Sequence, residues 1–165
     1  MLERLIPHAL DGLSGDRVFD LYSGVGLFGA FLRPPFRRLV CVESNAEALR
    51  CAERNVGTKG ATFIYDRVES WARRLAKLPN PEQPDAVVAD PPREGLDPAV
   101  RKWLKQRAVP RLVYVSCDPV TLARDLKDLA GPYVLEDLRL FDFYPQTHHV
   151  EAVAKLRARL DTRKS

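Results

Sequence analysis

Five times in succession a short apolar run of β-prone residues gives way to a segment that carries helix-start signals. The runs cover residues 17–22, 39–43, 61–65, 85–90 and 112–115. Continuous apolar runs of this length fit strands covered on both faces, as in a parallel sheet. The first helical segment, 25–32, is stopped by Pro34 and Pro35. The second is capped by Asn45, runs to about Val56 and is closed by Gly57 and Gly60. A third covers residues 68–78, and Asp97 and Asp118 cap two more, each with a proline at the first helical position. Residues 133–144 and 150–157 read as two final strands joined only by 145–149. A link that short is no parallel crossover, so these two strands should pair antiparallel. The expectation is one α/β domain over residues 1–165, with 1–16 as a lead-in containing a helix at 1–10. Its core would be a doubly wound, mostly parallel seven-stranded sheet with an antiparallel last strand.

The chain of 165 residues is long enough to bury a full core. Its three cysteines, Cys41, Cys51 and Cys117, share no metal or disulfide spacing, which points to no metal and to a reducing, cytoplasmic compartment. No apolar run reaches membrane-spanning length, and the first residues lack a signal-peptide pattern, so no membrane role is expected. A net charge of +4 permits a nucleic-acid partner without demanding one. The basic clusters, such as Arg33/Arg37/Arg38 and Arg73/Arg74/Lys77, carry no interleaved aromatic stripe and read as solvated faces.

A doubly wound sheet places its ligands outside the carboxyl ends of the strands. At the end of the first run stands Asp20-Leu-Tyr22-Ser-Gly24-Val-Gly26-Leu27-Phe-Gly29. Gly24 and Gly26 let the backbone turn tightly and approach a ligand. Glu43 ends the second run and can accept the hydroxyls of a ribose. Together they predict a nucleoside-containing cofactor. The glycine spacing matches the dinucleotide fingerprint of NAD-type oxidoreductases, and methyl-donor sites use the same loop. Asp20 favours S-adenosyl-L-methionine, since an acid there can hold a charged amino group. Asp66, ending the third run, can bond an adenine amino group or simply cap a helix. Asp90 followed by Pro91, Pro92 and Arg93 makes a rigid lip beside the crevice, as enzymes that methylate nucleobases commonly have. Cys117 falls between the fifth strand and a helix N-terminus, a position that stabilises a thiolate, while the adjacent Asp118 opposes it. It reads as a nucleophile or as a small inert residue.

With these residues in hand, the chain resembles the RNA uracil-5-methyltransferase family, the S-adenosyl-L-methionine-dependent enzymes that form 5-methyluridine. The resemblance rests on five stretches in family order. They are Asp20-Leu-Tyr-Ser-Gly-Val-Gly-Leu-Phe28, Val42-Glu43, Asp90-Pro-Pro-Arg-Glu-Gly95, Tyr114-Val-Ser-Cys-Asp-Pro-Val-Thr-Leu-Ala-Arg-Asp125 and Phe143-Tyr-Pro-Gln-Thr-His-His-Val-Glu151. It implies a class I methyltransferase sheet, Cys117 as catalytic nucleophile and Glu151 as general base. It implies too that Tyr22, Glu43, Asp90 and Leu27 line the methyl-donor site, and that the partner is an RNA (tRNA or rRNA). The chain departs from the family pattern at Ser23, where a cysteine is usual, and at Asp118, where an asparagine is frequent. The family's upstream segments and cluster-binding cysteines are expected to be missing before residue 17.

The chemistry assigns further expectations. Pro91 and Pro92 would shape the gap between donor and base. Arg93 and Arg124 are candidates for contacts to phosphate or to the uracil carbonyls, with structural salt bridges as the competing role. His148 and His149, beside the proposed base, receive no role. The rival functions are a dinucleotide-binding oxidoreductase, a cysteine hydrolase using Cys117, and a non-catalytic donor- or RNA-binding fragment.

Overall fold

The computed structural model describes residues 2–79, 81–142 and 150–159. The element order is α1 (Leu2–Leu10), β1 (Gly15–Leu21), α2 (Leu27–Leu32), β2 (Phe36–Glu43), α3 (Ala46–Val56), β3 (Ala61–Tyr65) and α4 (Val68–Leu75). It continues with β4 (Ala86–Ala89), α5 (Pro98–Arg107), β5 (Arg111–Ser116), α6 (Pro119–Leu129), β6 (Tyr133–Asp142) and β7 (Val150–Ala158). The seven strands form one sheet in the order β3-β2-β1-β4-β5-β7-β6. The first five pair in parallel, and β7 lies antiparallel to both β5 and β6. The expected doubly wound sheet and its antiparallel closing strand are therefore present.

Alternation along the strands divides the interior into two cores. Phe19, Leu21, Val87, Ala89, Leu112 and Tyr114 point to one face, where α4, α5 and α6 supply Trp71, Trp103 and Leu122. Val18, Val88, Val113, Val115 and Val153 point to the other, where α1 and α2 supply Leu5, Ile6, Phe28 and Leu32. In the first core Phe19 meets Trp71 edge-on, with ring centroids 5.3 Å apart. The lead-in helix thus belongs to the domain, closing the second core.

Three sequence expectations shift. The second helix begins at Leu27 rather than residue 25, because Gly24 and Gly26 hold positive φ of 52° and 81° and keep residues 23–26 in a turn. The helix expected to reach residue 78 ends at Leu75, and Lys77 and Leu78 close with tighter turn bonds to the Arg74 and Leu75 carbonyls. The fully covered runs are the central strands. At the β6 edge, Leu135, Leu138 and Leu140 stay exposed. The expected strand end at 143–144, the link 145–149 and both of its histidines lie outside the described residues. Among the described residues no helix is long and apolar enough to cross a membrane, and no cluster of His, Cys, Asp and Glu is arranged to hold a metal ion.

Candidate active site

At the carboxyl ends of the parallel strands lies a crevice of about 710 Å³, within the size range of ligand pockets. One lobe is formed by residues at or just past the ends of β1, β2 and β3: Tyr22, Glu43, Ser44, Arg67, Val68 and Glu69. The other is formed by Asp90, Pro92 and the loop that follows, with Arg101 and Arg124 behind.

Tyr22 leaves β1 in the left-handed region, at φ 61°, which costs a residue with a side chain about 1–2 kcal/mol. That turn aims the ring into the crevice, its hydroxyl near the Asp97 amide. Burial, aided by Glu69 and Asp97, raises its pKa. Glu43 clamps the glycine loop: its carboxylate accepts from the Gly24 amide at 3.0 Å and from the Asn45 amide at 2.7 Å. Asn45 in turn caps α3 as expected, accepting from Glu47 and Ala48.

The two glycines named for cofactor binding do different work. A methyl group added at Gly24 would meet nothing within 4 Å, so that side of the loop stands open to a ligand. One added at Gly26 would lie 2.8 Å from Val56 and 3.0 Å from Ala52, so Gly26 serves the packing of α2 on α3. Leu27 is exposed and outside the crevice lining. Asp66 is engaged locally, accepting from the Arg67 amide at 2.8 Å and pairing with Arg74.

Asp20 lies under the loop at 1% exposure, away from the crevice. Neither of its oxygens has a hydrogen-bond partner of ordinary geometry among the described residues. Burial pushes its pKa up to about 7, the Gly29 amide compensating only in part and Asp90 and Glu43 adding to the rise. It lies as a buried acid beneath Gly29 and Cys41, within reach of the charges of the crevice residues Asp90 and Glu43.

The sheet register brings the segments that carry the proposed nucleophile and base to the same end of neighbouring strands. The last β5–β7 pair is Ser116 with Ala152. Cys117 is the next residue, in the bend just beyond β5, and Glu151 directly precedes Ala152 in β7, so the two stand at that shared end. Val153 belongs to the second core, and alternation along β7 sends Glu151 to that same face. Asp90, two residues past Val88, falls on it too. Glu151 is half-buried and its pKa is raised by that burial. Asp90 presents surface to solvent but is crowded on its other sides. That crowding, with the charge of Glu151, moves its pKa upward. The direction, tempered by the open side, is that of two carboxyls sharing one neighbourhood.

Asp118, which could have opposed a thiolate, turns its carboxylate onto the helix instead. It accepts from the Val120 and Thr121 amides at 2.9 and 2.8 Å, which holds its pKa below the usual range. Cys117 itself is half-buried with a free thiol.

Pro92 and Arg124 line the crevice, while Pro91 is buried and Arg93 is exposed outside its lining. The Arg124 guanidinium donates to Asp125 and to the Glu94 carbonyl, so it supports the lip from behind. Ser44, Arg67, Glu69, Gly95, Leu96 and Asp97 also line the crevice and were not anticipated. Their signal was positional, since they lie a few residues beyond strand ends.

A seven-stranded sheet of this order, with a glycine loop after β1, an acid ending β2 and an Asp-Pro-Pro lip after β4, has the architecture of the class I methyltransferases. Residues 72–159 match the tRNA (uracil-5-)-methyltransferase family, and the chain belongs to it. It is 34% identical over 152 residues to the tRNA (uracil(54)-C(5))-methyltransferase of Pyrococcus horikoshii, covering 92% of this chain and 35% of that protein. An uncharacterised RNA methyltransferase of Gloeobacter violaceus is 39% identical over 160 residues, or 94% of this chain and 34% of that one. In three dimensions the chain resembles the Pyrococcus abyssi tRNA (uracil-54, C5)-methyltransferase in complex with S-adenosyl-L-homocysteine. The TM-score is 0.79 at 35% identity, over 94% of this chain and 38% of that one. The chain spans about a third of the length of the curated relatives it matches.

Proposed function

We propose that this chain, acting in the cytoplasm, transfers a methyl group from S-adenosyl-L-methionine to C5 of a uridine in RNA, tRNA or rRNA. The observation that supports the reading is the β5–β7 pairing, which brings the segments carrying Cys117 and Glu151 to the same end of the sheet, with Asp90 close enough to Glu151 to feel its charge. The donor fits the crevice chemically. Glu43 offers a carboxylate for ribose hydroxyls, Gly24 leaves its side of the loop open, and Tyr22 presents a ring. The bound donor would supply an electrophilic methyl group on sulfur.

The chain's own residues supply the rest. Uracil C5 is a poor nucleophile. The Cys117 thiolate adds to C6, and the pair from the C5–C6 bond moves into the C5–C4–O4 enolate. C5 then takes the methyl group, leaving a saturated carbon that holds both methyl and hydrogen. Glu151 removes that proton. The freed pair restores the C5–C6 double bond and expels the Cys117 thiolate. A carboxylate of raised pKa is better matched to this task near neutrality than an exposed one, and a positioned base contributes about a hundredfold or more. Asp90, whose pKa the same neighbourhood raises, would retain a proton near neutrality that it could offer to the base.

The test is RNA carrying 5-fluorouracil, whose C5 fluorine cannot leave as a proton. With donor present, a denaturation-resistant protein–RNA adduct should accumulate, and peptide mapping should put it on Cys117. Cys117→Ala should abolish it, and Glu151→Gln should slow turnover of ordinary RNA. An adduct that survives loss of Cys117 refutes the assignment. Donor binding with no transfer to any RNA would make the chain a donor-binding module instead.

A further inference from the structure

We propose that Asp125 is a positioning residue for this site, fixing the lip that follows Asp90 against the helix that follows Cys117. The inference rests on the function proposed above. Asp125 is fully buried in α6. One carboxylate oxygen accepts from the Tyr114 hydroxyl at 2.7 Å and the Leu96 amide at 2.8 Å. The other accepts from Arg124 Nε at 2.9 Å and Arg101 Nη1 at 3.0 Å. One side chain thus joins the strand that leads to Cys117, through Tyr114, to the loop that leaves Asp90, through Leu96.

Neighbours on α5 and α6 complete the grip. Thr121 Oγ1 donates to the Arg93 carbonyl at 2.9 Å, Arg124 donates to the Glu94 carbonyl at 2.8 Å, and Arg101 donates to the Leu96 carbonyl. Thr121, Arg124 and Asp125 share one face of α6. Gly95 shows how close the approach is: a methyl group there would lie 2.5 Å from the Asp125 carboxylate, at a φ of +78°. The loop therefore reaches Asp125 only with glycine at 95. Stability alone does not call for this arrangement, since apolar residues of similar volume often replace a buried ionic cluster at no loss. What the cluster adds is a fixed direction for the lip, and with it a fixed gap between Asp90 and Cys117.

The test compares Asp125→Asn with the milder Tyr114→Phe, which removes one donor and leaves the charge pairs intact. Methyl transfer is measured per folded molecule, and hydrogen exchange is followed on peptides covering residues 91–96. Asp125→Asn should lower kcat about a hundredfold, the cost of a misplacement of about 1 Å, with the donor KM within about threefold of the unmodified protein. Lip amides should exchange faster, and Tyr114→Phe should move both readouts the same way by less. An unchanged kcat per folded molecule, or a loss confined to donor KM, overturns the proposal. Should the unmodified protein transfer no methyl group, the functional reading falls, and exchange alone decides: faster lip exchange in both variants supports the positioning role, unchanged exchange refutes it.

Discussion

Replacing Asp20 by asparagine should make the protein more stable, and by an amount that grows with pH. The carboxyl sits at 1% exposure without an ordinary hydrogen-bond partner, and burial lifts its pKa from 3.8 to about 7. At about 1.4 kcal/mol per pH unit, that displacement corresponds to at most about 4 kcal/mol of penalty on the ionised native state. The sign is set by proton counting. Between pH 3.8 and about 7 the native state holds a proton that the unfolded chain has lost. Stability therefore falls as pH rises through that window and levels off above it. Asparagine keeps the shape and does not titrate. The variant should match the parent near pH 4 and exceed it by a few kcal/mol at pH 8. Urea unfolding at half-unit pH steps, followed by the fluorescence of the buried Trp71 and Trp103, gives both curves. Asp90 titrates in the same window and is coupled to Asp20, so part of the difference is the like-charge repulsion that asparagine relieves. A difference that stays flat from pH 5 to 8, or a variant less stable at pH 8, refutes the reasoning.

Gly26→Ala should destabilise the fold by about 1–3 kcal/mol through overpacking against Ala52 and Val56, read as a lower urea midpoint. Gly24→Ala, with open space ahead of it, should cost about 1 kcal/mol for its positive φ and show its main effect as weaker S-adenosyl-L-homocysteine binding. Glu43→Gln removes a charged acceptor from the Gly24 and Asn45 amides, worth about 1.5–3 kcal/mol. Calorimetric affinity for the same ligand should fall about ten- to hundredfold. Single-turnover methyl transfer should drop as acidification protonates Glu151, at a pH above that for an exposed glutamate. Asp90→Asn should leave that limb in place, because Asp90, raised to about 7 by burial and the Glu151 charge, takes up its proton first; a limb that moves to lower pH would refute that order.

Much of the fold was legible because the central strands are covered on both faces and so read as unbroken apolar runs. Asn45, Asp97 and Asp118 each cap the helix expected of them, with side-chain oxygens accepting from the first turn. The start of α2 was misplaced because glycine was read as part of the helix, whereas its positive φ excludes it. Within the site, Glu43 followed from its place at a strand end and Tyr22 from the family resemblance, but bringing the ends of β5 and β7 together depended on strand order, which local pattern does not encode. Asp125 was least legible. In sequence it is an acid beside Arg124 in a helix, indistinguishable from a solvated pair, and only the packing of α6 on the lip reveals it as fully buried.

The strand order carries a consequence for assembly. β7, later in the chain than β6, is inserted between β5 and β6. Until it docks, β6 has no strand neighbour and β5 shows a bare edge, so a growing chain completes the segment bearing Cys117 before the one bearing Glu151. On the function proposed above, competence would switch on as a single late event, and a polypeptide interrupted before this strand should be inert rather than partly active.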